Sequence, residues 1–249
     1  MRKFYSLVLA ALLLMSASYS FAQQTSLGQA PKNYTMPTSI SNDNVLDANN
    51  RGWVYLSTTT HQMASQFMGN TTLTNIGSPQ SYGFPGAFVY KDGKVYVIDQ
   101  LTPFGLYTLD TVTGNKTLVV NVTGITLTNL TGITYDGTNW WGVQSNITSS
   151  QIGTINITTG VFTPVGSPST TCAGAIQLNA APNGTLFSVD IVADKLFRWD
   201  KTTGVPTEKG VLGVNANYGQ DGHFDMSDGK YYWASYTTGP ELRIIDTTN

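Results

Sequence analysis

A chain of 249 residues has room for one large domain or two small ones, and its charge narrows the choice of function. Only 11% of its side chains are charged, 13 basic against 15 acidic, so it carries no basic footprint for nucleic acid or an anionic membrane surface. A 41% apolar content with 10 Phe and 13 Tyr can bury a real core, which excludes a disordered chain, while 35 threonines and 25 glycines leave a surface of hydroxyls and amides.

The chain opens with Arg2 and Lys3, an apolar run from Leu7 to Met15, and small residues at Ser20 and Ala22. That layout predicts a secretory signal over 1–22, because the run is well short of the ~20 residues that cross a bilayer. The expected destination is periplasmic, extracellular or cell-surface, with no membrane insertion once the signal is removed. Cys172 is the only cysteine, so no internal disulfide can brace the fold. Residues 23–40 form an N-terminal segment, and 41–249 carry a repeat.

The repeat has two markers. Asp-Gly or Asn-Gly turns followed by aromatic-rich strands recur at Lys91-Asp92-Gly93-Lys94-Val95-Tyr96, Tyr135-Asp136-Gly137, Pro182-Asn183-Gly184 and Ser227-Asp228-Gly229, after a first instance at Asn50-Arg51-Gly52-Trp53. Their glycines stand 41, 44, 47 and 45 residues apart. In step with them runs Asp110-Thr111-Val112-Thr113-Gly114, then Asn156 to Gly160, then Asp200 to Gly204, with glycines 46 and 44 apart. Each doublet is a hairpin signal, because glycine tolerates the positive φ of tight turns, and in the second marker the Asp side chain can hold the turn. One period then holds four strands, as in Thr131 to Asp136, Thr138 to Ser145, Gln151 to Ile157 and Val161 to Val165. Four short antiparallel strands in each ~45 residues is the arithmetic of a β-propeller blade. A β-sandwich would not require the fourfold unit to recur.

The predicted fold is therefore all-β, a propeller with about five visible blades beginning near Ser41, Gly86, Thr131, Ala173 and Gly222. The first lacks the Asp-x-x-Thr-Gly turn. The last blade is incomplete: Leu242 to Asn249 reads as a third strand and half a turn. Two expectations follow, a fragment of a longer array or a five-bladed ring in which Lys32 to Ile40 supplies the closing strand.

The unit Leu106 to Thr117, repeated more loosely from Ile152 to Thr163, resembles secreted bacterial β-propeller repeat proteins, especially the N-terminal propeller regions of exported cell-surface proteins. The resemblance spans roughly Asn42 to Asn249. It implies the fold, since the repeated residues are turn and packing residues.

Chemistry is sparse where propellers use it, at the starts of the inner strands. Aligned on Gly86, Gly132, Gly174 and Gly222, the preceding pairs are Phe84-Pro85, Leu130-Thr131, Cys172-Ala173 and Gln220-Asp221, and the following residues are Ala87, Ile133, Ala175 and His223. Ionisable groups gather only at the last. A lactonase of the gluconolactonase type needs several carboxylates on one cation, and the two glutamates, Glu208 and Glu241, fall in or beside outer hairpins. Asn217 to Asp228 lacks the bidentate glutamate of a calcium loop. The turns lack the Lys and Trp of quinone-docking propellers. No metal and no cofactor are therefore expected. His61 and His223 are the only histidines. A virginiamycin-lyase-like mechanism would use His223 with Asp221 as general base, against the alternative of a histidine bonded near a strand start. The five tryptophans lie within predicted strands, which favours packing between blades over sugar stacking.

This reading is of a monomeric, exported, non-catalytic binding or structural module with an unidentified protein or glycan ligand. Its candidate ligand-binding residues are Tyr218, Gln220, Asp221 and His223, with no catalytic residue assigned. The alternative is a channel lyase or hydrolase built on His223.

Overall fold

The computed structural model describes residues 51–56, 62–67, 74–80, 85–100, 102–217, 220–226, 228–237 and 240–248. The expected signal over 1–22 and the closing strand over Lys32 to Ile40 lie outside them.

Among the described residues, eighteen strands form five antiparallel meanders. The first sheet contains β1 (Arg51–Leu56), β2 (Gln62–Phe67) and β3 (Thr74–Ile76). The second runs β4 (Pro85–Lys91), β5 (Lys94–Asp99), β6 (Gly105–Asp110), β7 (Lys116–Asn121). The third is β8 (Asn129–Tyr135), β9 (Trp140–Ser145), β10 (Ser150–Ile155), β11 (Phe162–Pro164). The fourth is β12 (Asn179–Ala180), β13 (Leu186–Asp190), β14 (Lys195–Trp199), β15 (Pro206–Val211), and the last is β16 (Asp221–Phe224), β17 (Tyr231–Tyr236), β18 (Pro240–Ile245). Three sheets have four strands; among the described residues the first and last have three.

The inner strands of the second to fifth sheets lie in a circuit, β4 against β8, β8 against β12, β12 against β16, and β16 back against β4. This ring of radial meanders is a β-propeller.

Both turn markers fold as their residue types dictate. In the Asp92-Gly93 hairpin both residues have positive φ, 52° and 76°, the twist that matches flanking strands. In the second marker one side-chain oxygen caps the turn: Asp200 Oδ1 accepts from Thr202 N and Thr203 N, both at 2.8 Å, and Asn156 Oδ1 does the same for Thr158 N and Thr159 N. Backbone donors hold the carboxyl groups of Asp110 and Asp200 below their ordinary pKa.

Strand alternation sends neighbouring side chains to opposite joints. Trp140 packs with Ala87, Leu130 and Ile133 between the second and third sheets, and Trp141 with Leu178, Leu186 and Phe197 between the third and fourth. Phe187, Phe224, Tyr231 and Trp233 fill the next joint, and Ile76 ties the first sheet to Val95, Val97 and Leu109 of the second. The four described tryptophan side chains are thus core, as their strand positions predict. Cys172 is buried against Ser188, and loss of hydration pushes its thiol pKa far up, so it is an inert packing residue.

At the outer rim, the glycine of each Asp- or Asn-x-x-Thr-Gly turn sits on the preceding sheet. A Cβ on Gly114 would overlap the Ile76 carbonyl, one on Gly160 the Asn121 carbonyl, and one on Gly204 the Val165 carbonyl. Gly204 also needs its φ of +71°, whereas a Cβ on Gly137, at φ +94°, would meet nothing. Gly204→Ala is expected to cost at least about 2 kcal/mol, combining left-handed strain with a backbone clash, and Gly137→Ala about 1 kcal/mol from strain alone. Urea denaturation of the two variants measures the difference.

Candidate functional site

The two ends of the ring differ in polarity. At one end the turn residues Asp92, Gly93, Gly137, Asp228 and Gly229 are solvent-exposed. At the other, where inner strands begin and second strands finish, buried polar side chains concentrate: Gln144, Ser150, Gln177 and Asp190 have no accessible surface at all. Many of them brace loops. Gln144 Oε1 accepts from Thr126 N and Leu127 N at 2.8 and 2.9 Å, and Asp190 Oδ1 from Val192 N and Ala193 N at 2.7 and 2.9 Å.

Along the circuit of inner strands, one residue from each segment reaches the next sheet. Ala87, at a bulge in β4 with φ +46°, packs against Leu130 and Ile133. Thr131, at the matching bulge in β8, donates from Oγ1 to Ala175 O at 2.7 Å. Gln177 lies beside Gly222, where a Cβ would stand 3.1 Å from its Oε1. Asp221 completes the circuit, its Oδ2 accepting from Phe88 N at 3.0 Å across 133 residues of sequence. The four joints are apolar, hydroxyl, amide and carboxylate.

Of the residues expected from sequence, Tyr218 lies outside the described residues. Gln220 is buried just before β16 and donates from Nε2 to Asn217 O at 2.8 Å. Asp221 is half-buried at the start of β16, where loss of hydration raises its pKa to about 7 against the opposing pull of Gly222 N and Phe88 N. His223 is two residues on, on the same strand face. Its side chain reaches solvent, yet the surrounding protein mass displaces enough water to lower its pKa, opposed by Asp225. Asp221 spends its oxygens on Phe88 and Gly222, and the charge acting on His223 is that of Asp225. The geometry does not join Asp221 to His223 as an acid–base pair.

Alignment on Gly174 misplaced the entrance of the fourth sheet. Its inner strand is Asn179–Ala180, preceded by a bridge from Ala175 to Asp190, and the side chain that meets the fifth sheet at Gly222 is that of Gln177. Gln177 has neither charge nor motif to draw the eye, and the only signal that could have found it is its spacing to the Asn183-Gly184 turn. Gln177 is fully buried, and neither Nε2 nor Oε1 has a hydrogen-bond partner; Trp233 Nε1, on the strand position paired with Gly222, is likewise buried and unpartnered.

Solved structures resemble the chain in fold. A protein of unknown function from Bacteroides thetaiotaomicron is 16% identical with a TM-score of 0.55, over 79% of this chain and 57% of that one. A structure of the nidogen/laminin complex is 12% identical with a TM-score of 0.54, over 76% and 69%. A catalytically inactive virginiamycin B lyase from Staphylococcus aureus with quinupristin gives 12% and 0.49, over 82% and 69%. These are β-propellers. The chain spans little more than half the length of the first. No protein-family model matches the sequence, and no curated protein does.

Thr131 is the joint residue whose contribution is cleanest to measure. Thr131→Val keeps the shape but strips the donor from Ala175 O, and is expected to cost about 1–2 kcal/mol. Equilibrium urea unfolding checks it, with Thr138→Val, on an exposed turn, expected to be near neutral.

Proposed function

We propose that the chain is an exported, non-catalytic binding module whose ligand docks where the inner strands begin. The observation that carries this reading is Gln177. A buried amide with both ends unpaired costs about 1–3 kcal/mol for each group left without a partner, and native proteins rarely keep one without a use. Gln177 offers an acceptor oxygen and a donor NH2 group, and Trp233 Nε1 a further N–H donor. A hydroxyl both donates and accepts, so a neutral, hydroxyl-rich ligand such as a saccharide complements this set. The amide atoms touch no solvent in the closed ring, so such a ligand meets them by a small parting of the fourth and fifth inner strands. The predicted signal over 1–22 supports an extracellular or periplasmic setting for that encounter.

Catalysis by His223 gains no support from the geometry, since the Asp221 carboxylate is engaged with backbone amides.

Calorimetric titration with cellohexaose, xylohexaose, laminarihexaose and chitohexaose tests the proposal. At least one is expected to bind saturably. Gln177→Leu is expected to weaken that binding tenfold or more, about 1.4 kcal/mol, in a protein that still unfolds cooperatively. If none of the four binds the folded protein, the glycan reading falls. Binding that Gln177→Leu leaves intact moves the site elsewhere.

A further inference from the structure

We propose that the Gln177 site is one end of an extended groove that runs along β17 to Thr237, and that its ligand is a neutral oligosaccharide chain of two or more rings, not a single sugar. The inference rests on the reading of Gln177 given above and adds to it a further binding residue, a direction and a ligand length.

Three observations carry it. First, Thr237 shares the property that singles out Gln177 and Trp233: the residue is only 7% exposed, and its Oγ1 is buried without a hydrogen-bond partner. Second, the three residues lie in line. Gly222 pairs with Trp233, and Gln177 Oε1 stands beside Gly222, so amide and indole occupy one cross-strand row. Thr237 is four residues beyond Trp233, just past the end of β17 at Tyr236 and towards the entrance, up to about 13 Å further along an extended backbone. Its carbonyl accepts from Asn217 Nδ2 at 3.4 Å, and Gln220 Nε2 donates to Asn217 O at 2.8 Å, so Thr237 stands against the segment that leads into β16. Between the two ends Ser235 shares the strand face of Trp233, its Oγ accepting from Arg243 Nε at 3.1 Å. Third, the repeat does not require an unused hydroxyl there. Polar side chains where the second strands of the third and fourth sheets finish are spent on loops: Asn146 Oδ1 accepts from Thr148 N and Ser149 N at 3.1 and 2.8 Å, and Asp190 Oδ1 from Val192 N and Ala193 N.

The ligand length follows from that spacing. An amide, an indole N–H and a hydroxyl carry no charge, and each matches the hydroxyl of a sugar. A single pyranose seated at the row of Gln177 and Trp233 does not reach Thr237, whereas the following rings of a chain do. The chain therefore lies lengthwise, with one end at Gln177 and the other leaving by the entrance. Because Trp233 and Thr237 belong to one strand segment, the parting of strands that opens Gln177 to a ligand opens Thr237 with it. Each buried polar group held without a partner destabilises the free protein, and a chain that engages all of them recovers that cost on binding.

NMR titration of the full chain tests this, with glucose, xylose and N-acetylglucosamine as single rings against cellohexaose, xylohexaose, laminarihexaose and chitohexaose. A single ring is expected to shift the Trp233 indole N–H resonance alone, and the hexaose of the matching sugar to shift both that resonance and the Thr237 backbone amide. Thr237→Val keeps the shape and strips the hydroxyl. It is expected to weaken the hexaose about fivefold, to leave the single ring unchanged, and to leave the urea midpoint unchanged or raised, because no internal hydrogen bond is lost. Thr237→Ser should restore hexaose binding, and Gln177→Leu should weaken both lengths. The proposal is overturned if Thr237→Val leaves the hexaose affinity intact while Gln177→Leu reduces it, an outcome in which the Gln177 site stands alone. It is equally overturned if Thr237→Val weakens single ring and hexaose alike or lowers the urea midpoint, which marks a structural role. Failure of every hexaose to bind removes the Gln177 reading and this extension together.

Discussion

The close approach of a turn glycine to the last carbonyl of the preceding sheet sets the geometry of the ring. At Gly114, Gly160 and Gly204 the backbone of one sheet lies where a side chain would otherwise stand. Because that contact sits at the outer rim, it fixes both the separation and the splay of neighbouring sheets. Everything nearer the axis inherits the spacing. Large aromatic rings such as Trp140, Trp141 and Trp199 then fill wedges of set width, and alternation along β9 lets two adjacent residues serve two joints. A protein without a disulfide and with few charges depends on this regularity of packing for its stability.

The rim is repetitive, but the axis is not. Ala87, Thr131, Gln177 and Asp221 project from inner-strand segments of four successive sheets, and no two of them have the same chemistry. Packing demands only that each joint be filled, and an alanine at the first shows that an apolar residue suffices. Hydroxyl, amide and carboxylate at the other three exceed what the scaffold requires. Function on a repeat fold is expected in such departures from the repeat. Thr131 is satisfied within the protein by Ala175 O, while the Gln177 amide is not. The joint between the fourth and fifth sheets thus differs from its neighbours in kind.

The fold was legible in the sequence because its determinants are local. Asp92-Gly93 and Asp200 to Gly204 select their turns through φ and a single capping oxygen, and the ~45-residue period follows from those turns. The site was legible only in part. Asp221 stood out as an ionisable residue at a strand start, but its partner is a backbone amide 133 residues earlier, which no local spacing encodes. The pairing with His223 that sequence proximity invited is not the one formed. Gln177 was hidden for another reason: the inner strand of the fourth sheet is two residues long and approached through an irregular segment, so alignment on Gly174 did not single out the residue that meets the fifth sheet.

Asp136 and Asp221 show how the two ends of the ring treat the same side chain. The carboxyl group of Asp136 is only 2% exposed, and burial is the largest influence acting on it, yet its pKa is lowered. Besides Thr138 N and Asn139 N it receives Trp141 Nε1 at 2.8 Å and Lys201 Nζ at 2.7 Å, the last from the neighbouring sheet. Among the described residues Asp221 receives two backbone donors, and its pKa rises. Backbone donors alone fail to offset the loss of water; an added ammonium and indole do. At the turn end a carboxylate becomes a permanent tie between sheets. At the entrance the same group meets two backbone donors, and loss of hydration outweighs them.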